Sequence, residues 1–290
     1  MIVTQLLGGL GNQLFQYSVG RALAARHQTE LRLDTSAFES YSLRSYALSC
    51  FRIQGAVLSG EERSALGVGS APTSTLGRLG SRLRLGKTIA LIREKGYAFD
   101  PTVLDAPSAC YLQGYWQSPK YFASVEHSIR DELTVATPPA GQNLEFAARI
   151  AQTMSVSLHV RRGDYVTNPT THQYHGVCGP NYYEAAQRML RESLGNAQLF
   201  VFSDDPAWVE ENLRFILPAT ILKHNGPEKH FEDLRLMTLC KHHIIANSTF
   251  SWWGAWLCPH PDKMVIAPKN WFKDAGHDAA DLVPQEWRTI

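Results

Sequence analysis

No stretch of this 290-residue chain approaches the run of about 18 apolar residues that a membrane-spanning helix needs, which excludes an ordinary transmembrane anchor. Surplus charge is missing too. Lys and Arg number 28 against 27 Asp and Glu, so no overall field favours nucleic acid, and the expected partner is a compact ligand held by local charges. Cysteine is scarce, odd in number and scattered (Cys50, Cys110, Cys178, Cys240, Cys258), which suits reduced thiols better than a disulfide framework. The N-terminal segment lacks a basic region followed by a long apolar one, so no signal peptide is expected and the chain reads as cytoplasmic. No Asp-x-Asp triplet occurs, and adjacent Asp204 and Asp205 would project apart on an extended segment, which is poor geometry for a shared divalent ion.

What is present is enough for a sizeable core, with 44% hydrophobic and 10% aromatic residues. Strands are expected at 2–7, 31–33, 111–117, 156–160, 199–202, 219–222, 243–246 and 264–267. Helices are expected at 14–27, 121–133, 182–193, 206–213, 230–240 and 250–257. Strands alternating with helical stretches predict a parallel sheet with crossover helices. The segment 58–95, rich in Gly, Ser and Arg, reads as an irregular insertion with at most one helix. Its basic cluster, Arg78, Arg82, Arg84 and Lys87, is by default a solvated loop, with weak peripheral contact to anionic lipid as the minority reading. The Pro-Pro-containing stretch 137–141 is the clearest break. The expectation is α/β, with two Rossmann-like domains, 1–140 and 141–290, facing each other across a cleft.

Four segments at strand ends could carry chemistry. Gly8-Gly9-Leu10-Gly11-Asn12-Gln13 joins the first strand to the first helix, where glycines admit a ligand and the helix start offers free N–H groups. It lacks the third glycine of the dinucleotide fingerprint and the Lys-Ser/Thr of a P-loop. His159-Val160-Arg161-Arg162-Gly163-Asp164 ends a strand with two guanidinium forks suited to phosphate oxygens. At Ser203-Asp204-Asp205-Pro206 a carboxylate either caps the helix that Pro206 opens or accepts bonds from a base edge or sugar hydroxyls. Asn247-Ser248-Thr249-Phe250 precedes a tryptophan-rich helix read mainly as core, with Ser248 and Thr249 the better ligand candidates. Cys240, His242, His243, Cys258 and His260 imitate a zinc set, yet they fall at helix ends and on a buried strand, and a structural metal is not expected.

Three of these segments, in order, resemble the motifs of the α-1,2-fucosyltransferases of glycosyltransferase family 11: His159–Val166, Val201–Pro206 and Asn247–Leu257. The opening Gly8–Tyr17 and the internal Leu112–Phe122 are similar to that family as well. The resemblance implies a GT-B-like fold with an acceptor-side N-terminal domain and a C-terminal domain that binds the nucleotide sugar. It implies GDP-β-L-fucose as donor, a galactose-terminated glycan as acceptor, inversion, no metal or other cofactor, and a place in surface-glycan synthesis of the O-antigen type.

Carried over, Arg161 would contact the diphosphate with Arg162 in support, and His159 would lie near the nucleotide. Asp204 or Asp205 would serve guanine or ribose, and Asn247, Ser248, Thr249 and Phe250 would line the donor site. Gly9, Gly11, Asn12 and Gln13 are donor-binding candidates in the first turn. The general base is open between Asp164, which could instead pair with Arg161, and His175. Fucosyl transfer with other regiochemistry and a non-catalytic nucleotide- or glycan-binding protein are the rival readings.

Overall fold

The computed structural model describes residues 1–40, 43–67, 89–168, 173, 176–273 and 279–290, without the side chain of Asp164. His175 and the cluster Arg78, Arg82, Arg84 and Lys87 lie outside the described residues. The chain forms two compact units, Met1–Ser49 with Ile53–Glu132, and Cys50–Arg52 with Leu133–Ile290. The break at 137–141 therefore falls inside the second unit. The reason is local: Phe51 bridges Val135, the Ala136 N–H donates to Cys50 O (2.8 Å), and Arg235 Nη1 donates to Thr137 O (2.6 Å).

In the first unit β1 (Ile2–Gln5), β2 (Leu31–Asp34), β3 (Ala56–Val57), β4 (Ala90–Arg93) and β5 (Cys110–Gln113) form a sheet of order β3-β2-β1-β5-β4. Every pairing is parallel. Helix α1 (Leu10–Arg26) connects β1 to β2, and α2 (Gly60–Leu66) opens on a capping box of Ser59 and Glu62. Tyr17 and Arg21 of α1 both bond Glu132 at the end of α3 (Glu126–Glu132), tying the unit's last helix to its first. Of the stretch 58–95, the described ends hold α2 and the paired strand β4.

The second unit carries β6 (Ser155–Val160), β7 (Gln198–Ser203), β8 (Ala219–Ile221), β9 (His242–Ile244), β10 (Val265–Ala267) and β11 (Arg288–Thr289). Their order is β11-β10-β9-β6-β7-β8, again parallel throughout. The chain steps outward from β6 to β8, then returns to the other side of β6 and steps outward again. This is the order of the doubly wound dinucleotide-binding sheet, whose crevice opens where the direction reverses, between β6 and β9. All six residues of β6 are buried, as a central parallel strand requires, and its buried Ser157 is satisfied by His243 Nδ1 at 2.7 Å.

The described helices include α4 (Gln142–Gln152), α5 (Gly163–Thr167), α6 (Pro180–Leu194), α7 (Pro206–Asn212), α8 (His230–Leu239) and α9 (Thr249–Leu257). Trp252, Trp253 and Trp256 of α9 are core: Trp252 stacks on Trp256, Trp253 meets both edge-on, and Trp252 Nε1 donates to Leu282 O at 2.8 Å.

Candidate active site

The loops after β6 and β9 meet at the switch point of the second sheet. Tyr165 of α5 hydroxyl-bonds Asn247 O at 3.3 Å, joining the two loops directly. Asn247 is buried and ties its loop to two neighbouring segments, donating to Trp271 O (3.2 Å) and accepting from Cys178 Sγ (3.6 Å). Ser248 is the residue before α9, and Thr249 is its first helical residue. Ser248 is buried and among the described residues makes no side-chain capping bond, so its hydroxyl stands beside the start of α9, where the helix concentrates unpaired N–H groups.

Arg161 leaves the end of β6. Its Nη1 meets Asp204 Oδ2 at 2.8 Å, and its guanidinium lies 5.3 Å from the Tyr165 ring centre. Asp204 comes from the end of the neighbouring strand β7 and also accepts the Arg162 N–H at 2.8 Å. That close approach depends on Gly163, where an added Cβ would stand 2.5 Å from Asp204 Oδ2. Arg162 turns the other way, with Nε 3.3 Å from Asp205 Oδ2 and its guanidinium 4.0 Å from the Trp208 ring centre. Asp205 caps α7 through the Trp208 N–H at 3.1 Å. The two aspartates thus diverge, each pairing with one guanidinium, and Asp205 takes the helix-capping role that Pro206 signals.

His159 sits one strand position deeper, buried against Phe250 with ring centres 5.5 Å apart. Its Nδ1 has no partner among the described residues. Burial, and then the charge of Arg161, push its pKa down to about 3, so the ring is neutral at ordinary pH and unsuited to act as a resident cation. Asp164 lies on α5, close in the chain to Arg161.

In the first unit Gly9 is the N-cap of α1, and Gly11, Asn12 and Gln13 lie in its first turn. Gln13 is wholly occupied by the fold: its Nε2 donates to Gly8 O (3.0 Å) and Ser45 O (2.9 Å), and its Oε1 accepts the Ala47 N–H (2.9 Å). It braces a loop, and its amide has little left for a ligand. Asn12 Oδ1 accepts from Gln117 Nε2 at 3.0 Å.

Several site residues carry no strong sequence signal. Tyr165 and Trp208 back the arginines, Cys178 supports Asn247, and His230 at the start of α8 lies 6.4 Å from the Phe250 ring. Tyr165 sits inside the Arg-Arg motif and Trp208 at helical spacing from Asp205, and only those proximities could have marked them. Of the zinc-like set, Cys240 and Cys258 donate to Leu236 O and Cys240 O, and His243 is used by Ser157. Among the described residues no group of three or more His, Cys, Asp or Glu could hold a metal ion. No helix among them is long and apolar enough to cross a membrane.

A doubly wound sheet that presents an ion-paired guanidinium and a helix start at its switch point has the arrangement by which α/β proteins hold phosphate groups. Residues 93–290 match glycosyl transferase family 11, and the chain belongs to that family: it is a glycosyltransferase. It is 32% identical over 298 residues to an Escherichia coli alpha-1,2-colitosyltransferase, covering 100% of this chain and 99% of the relative. To the E. coli O-antigen biosynthesis glycosyltransferase WbnK it is 32% identical, with 97% and 98% covered. Mouse galactoside alpha-(1,2)-fucosyltransferase 2 matches at 34% identity over 47% of this chain and 40% of the relative. Among solved structures, a mutant of Arabidopsis thaliana FUT1 in complex with GDP shares the GT-B-like fold at 13% identity and a TM-score of 0.52, over 98% of this chain and 74% of that one.

Proposed function

We propose that the chain transfers L-fucose from GDP-β-L-fucose to the 2-hydroxyl of a terminal galactoside, with inversion and without a metal, during surface-glycan synthesis in the cytoplasm. The observation that carries the reading is Arg161, fixed by Asp204 at the switch point beside the Asn247–Thr249 loop. Support comes also from family membership, from the O-antigen relative and from the partial match to a galactoside fucosyltransferase.

In this reaction the galactose 2-oxygen bonds to the anomeric carbon as the bond from that carbon to the phosphate oxygen breaks. GDP leaves with the electron pair, and the hydroxyl proton passes to a base, for which Asp164 and His175 are the candidates. The growing charge on GDP is the harder problem. Arg161 supplies a permanent cation whose direction Asp204 sets in advance, and Ser248, Thr249 and the N–H groups opening α9 supply neutral donors. Arg162, held between Asp205 and Trp208, keeps the β6 and β7 ends in register rather than reaching for ligand.

The full-length similarity to a colitosyltransferase favours one second reading, in which the transferred sugar is colitose. Side-by-side transfer assays with the fucosyl and colitosyl donors and lactose decide between them. Faster transfer of fucose supports the proposal, and exclusive colitosyl transfer replaces it.

A further inference from the structure

Beside the first sheet's switch point, which lies between β1 and β5, a half-buried carboxylate at the end of the edge strand β4 holds the loop after β5. Glu94 follows β4, and its two oxygens accept the consecutive N–H groups of Tyr115 and Trp116, each at 2.7 Å. No cation pairs with it among the described residues. Trp116 is fully buried with φ of +58°, a left-handed backbone that a bulky residue adopts only when its surroundings impose it. Its indole N–H has no partner among the described residues, a second cost. Gly114 is obligatory beside it, since a Cβ there would lie 2.4 Å from Glu94 Cβ. The loop is stitched to the β1 end as well: Gln16 accepts the Leu7 N–H (2.9 Å) and donates to Gly114 O (3.1 Å), and Gln117 donates to Asn12 (3.0 Å).

A strained loop, held by a dedicated carboxylate at the mouth of a parallel sheet, is where a ligand-facing surface is expected. Its groups are the half-buried Tyr115 ring and the amides of Gln117 and Asn12. Arg44 Nε, itself engaged, comes within 3.7 Å of where a Cβ would sit on Gly9. An aromatic face with amides suits an uncharged pyranose, which offers an apolar C–H face and hydroxyls. We propose that Glu94 is a positioning residue for the acceptor: by holding Trp116 in its left-handed conformation it presents Tyr115 and Gln117 to the acceptor sugar. The proposal rests on the reading of the chain as a galactoside transferase.

The test measures KM for lactose, KM for GDP-fucose, kcat, GDP affinity and melting temperature in wild type, Glu94→Gln, Tyr115→Ala and Gln117→Ala. An amide at position 94 sets an N–H against an N–H and releases one end of the clamp. The expected result is a rise in lactose KM of about tenfold in Glu94→Gln and Tyr115→Ala, with kcat, GDP-fucose KM and GDP affinity held. Unchanged lactose KM in a folded Glu94→Gln, or an equal rise in both KM values, overturns the proposal. If Glu94→Gln does not fold, Tyr115→Ala and Gln117→Ala decide, and unchanged lactose KM in both overturns it. A wild type that transfers nothing defeats the functional reading instead. Saturation-transfer NMR with methyl β-galactoside then settles the site: binding lost in Tyr115→Ala supports it, and no binding, or binding indifferent to Tyr115, refutes it.

Discussion

The two units solve the same topological problem with different chemistry. Each opens a crevice where a parallel sheet reverses direction, and in each one side chain stitches the two strand-end loops, Gln16 in the first and Tyr165 in the second. Around the first crevice the stitching is by amides and one carboxylate: Gln13, Gln16, Gln117 and Asn12 bond backbone or one another, and Glu94 accepts two backbone N–H groups. Around the second it is by ion pairs, Arg161 with Asp204 and Arg162 with Asp205. Amide networks hold a shape without creating a field, whereas an oriented guanidinium creates one that matters when negative charge develops nearby. This difference is why the proposed function puts the anionic nucleotide in the second unit and neutral groups in the first.

The largest effect expected is at Arg161. Arg161→Ala should lower kcat for transfer by 10²–10³-fold, the usual range of about 3–4 kcal/mol for a lost preorganised donor, while Arg162→Ala should cost mainly stability. Steady-state kinetics beside a thermal melt separates the two, and equal kinetic losses in both variants would break the contrast drawn between the arginines.

Gln13→Ala comes next. Removing a buried amide with three bonds should destabilise the fold by roughly 2 kcal/mol in a urea titration, with GDP affinity unchanged. A fall in GDP affinity without loss of stability would return Gln13 to the donor site.

The second unit's electrostatics extend to Asp233 on α8. Burial pushes its pKa up to about 6 from 3.8, against the opposing bond from Asn225 and with the charge of Glu232 adding to the rise. A raised carboxyl pKa means that the neutral form is favoured in the fold. The stabilisation it brings is complete below the unfolded value and is lost as pH rises through about 6. Asp233→Asn has no such loss, so its stability relative to wild type should improve by roughly 2 kcal/mol between pH 4 and pH 8. A pH-independent difference in melting would remove Asp233 from the buried-acid class.

Gly163→Ala should be milder. Its Cβ displaces Asp204 rather than Arg161 itself, and a side-chain tip moves more easily than backbone. Transfer should fall by roughly tenfold with melting nearly unchanged. Smallest of all, a chelator should leave the rate untouched, and inhibition reversed by added Mg2+ or Mn2+ would put a metal where Arg161 is placed.

Much of this architecture was legible in the sequence. Short apolar runs mark β1, β2, β6, β7, β8, β9 and β10, and strand-end placement puts Arg161, Asp204 and Ser248 at one edge of the sheet. What escaped has physical causes. The strand expected at 111–117 stops at Gln113, because Glu94 takes the next N–H groups and Trp116 turns left-handed. The helix expected at 121–133 breaks into two 3-10 turns, Pro119–Tyr121 and Ala123–Val125, followed by α3, because Phe122 between the turns takes a non-helical backbone (φ −127°, ψ 16°). Helix α1 starts at Leu10 rather than residue 14, for its first turn buries polar Gln13 and blurs the apolar period. The strand β4, inside a stretch read as irregular, is a short edge with alternating exposure. Arg161 finds Asp204 across the sheet, a pairing that no local pattern announces.

What the second unit's crevice does is decided by one assay: labelled GDP-fucose with lactose, wild type and Arg161→Ala, with the product linkage read by NMR. An α-1,2-linked fucosyl product from the wild type, lost in a variant that still folds, is the predicted result. A folded wild type that binds GDP yet transfers no fucose, or forms another linkage, would contradict it.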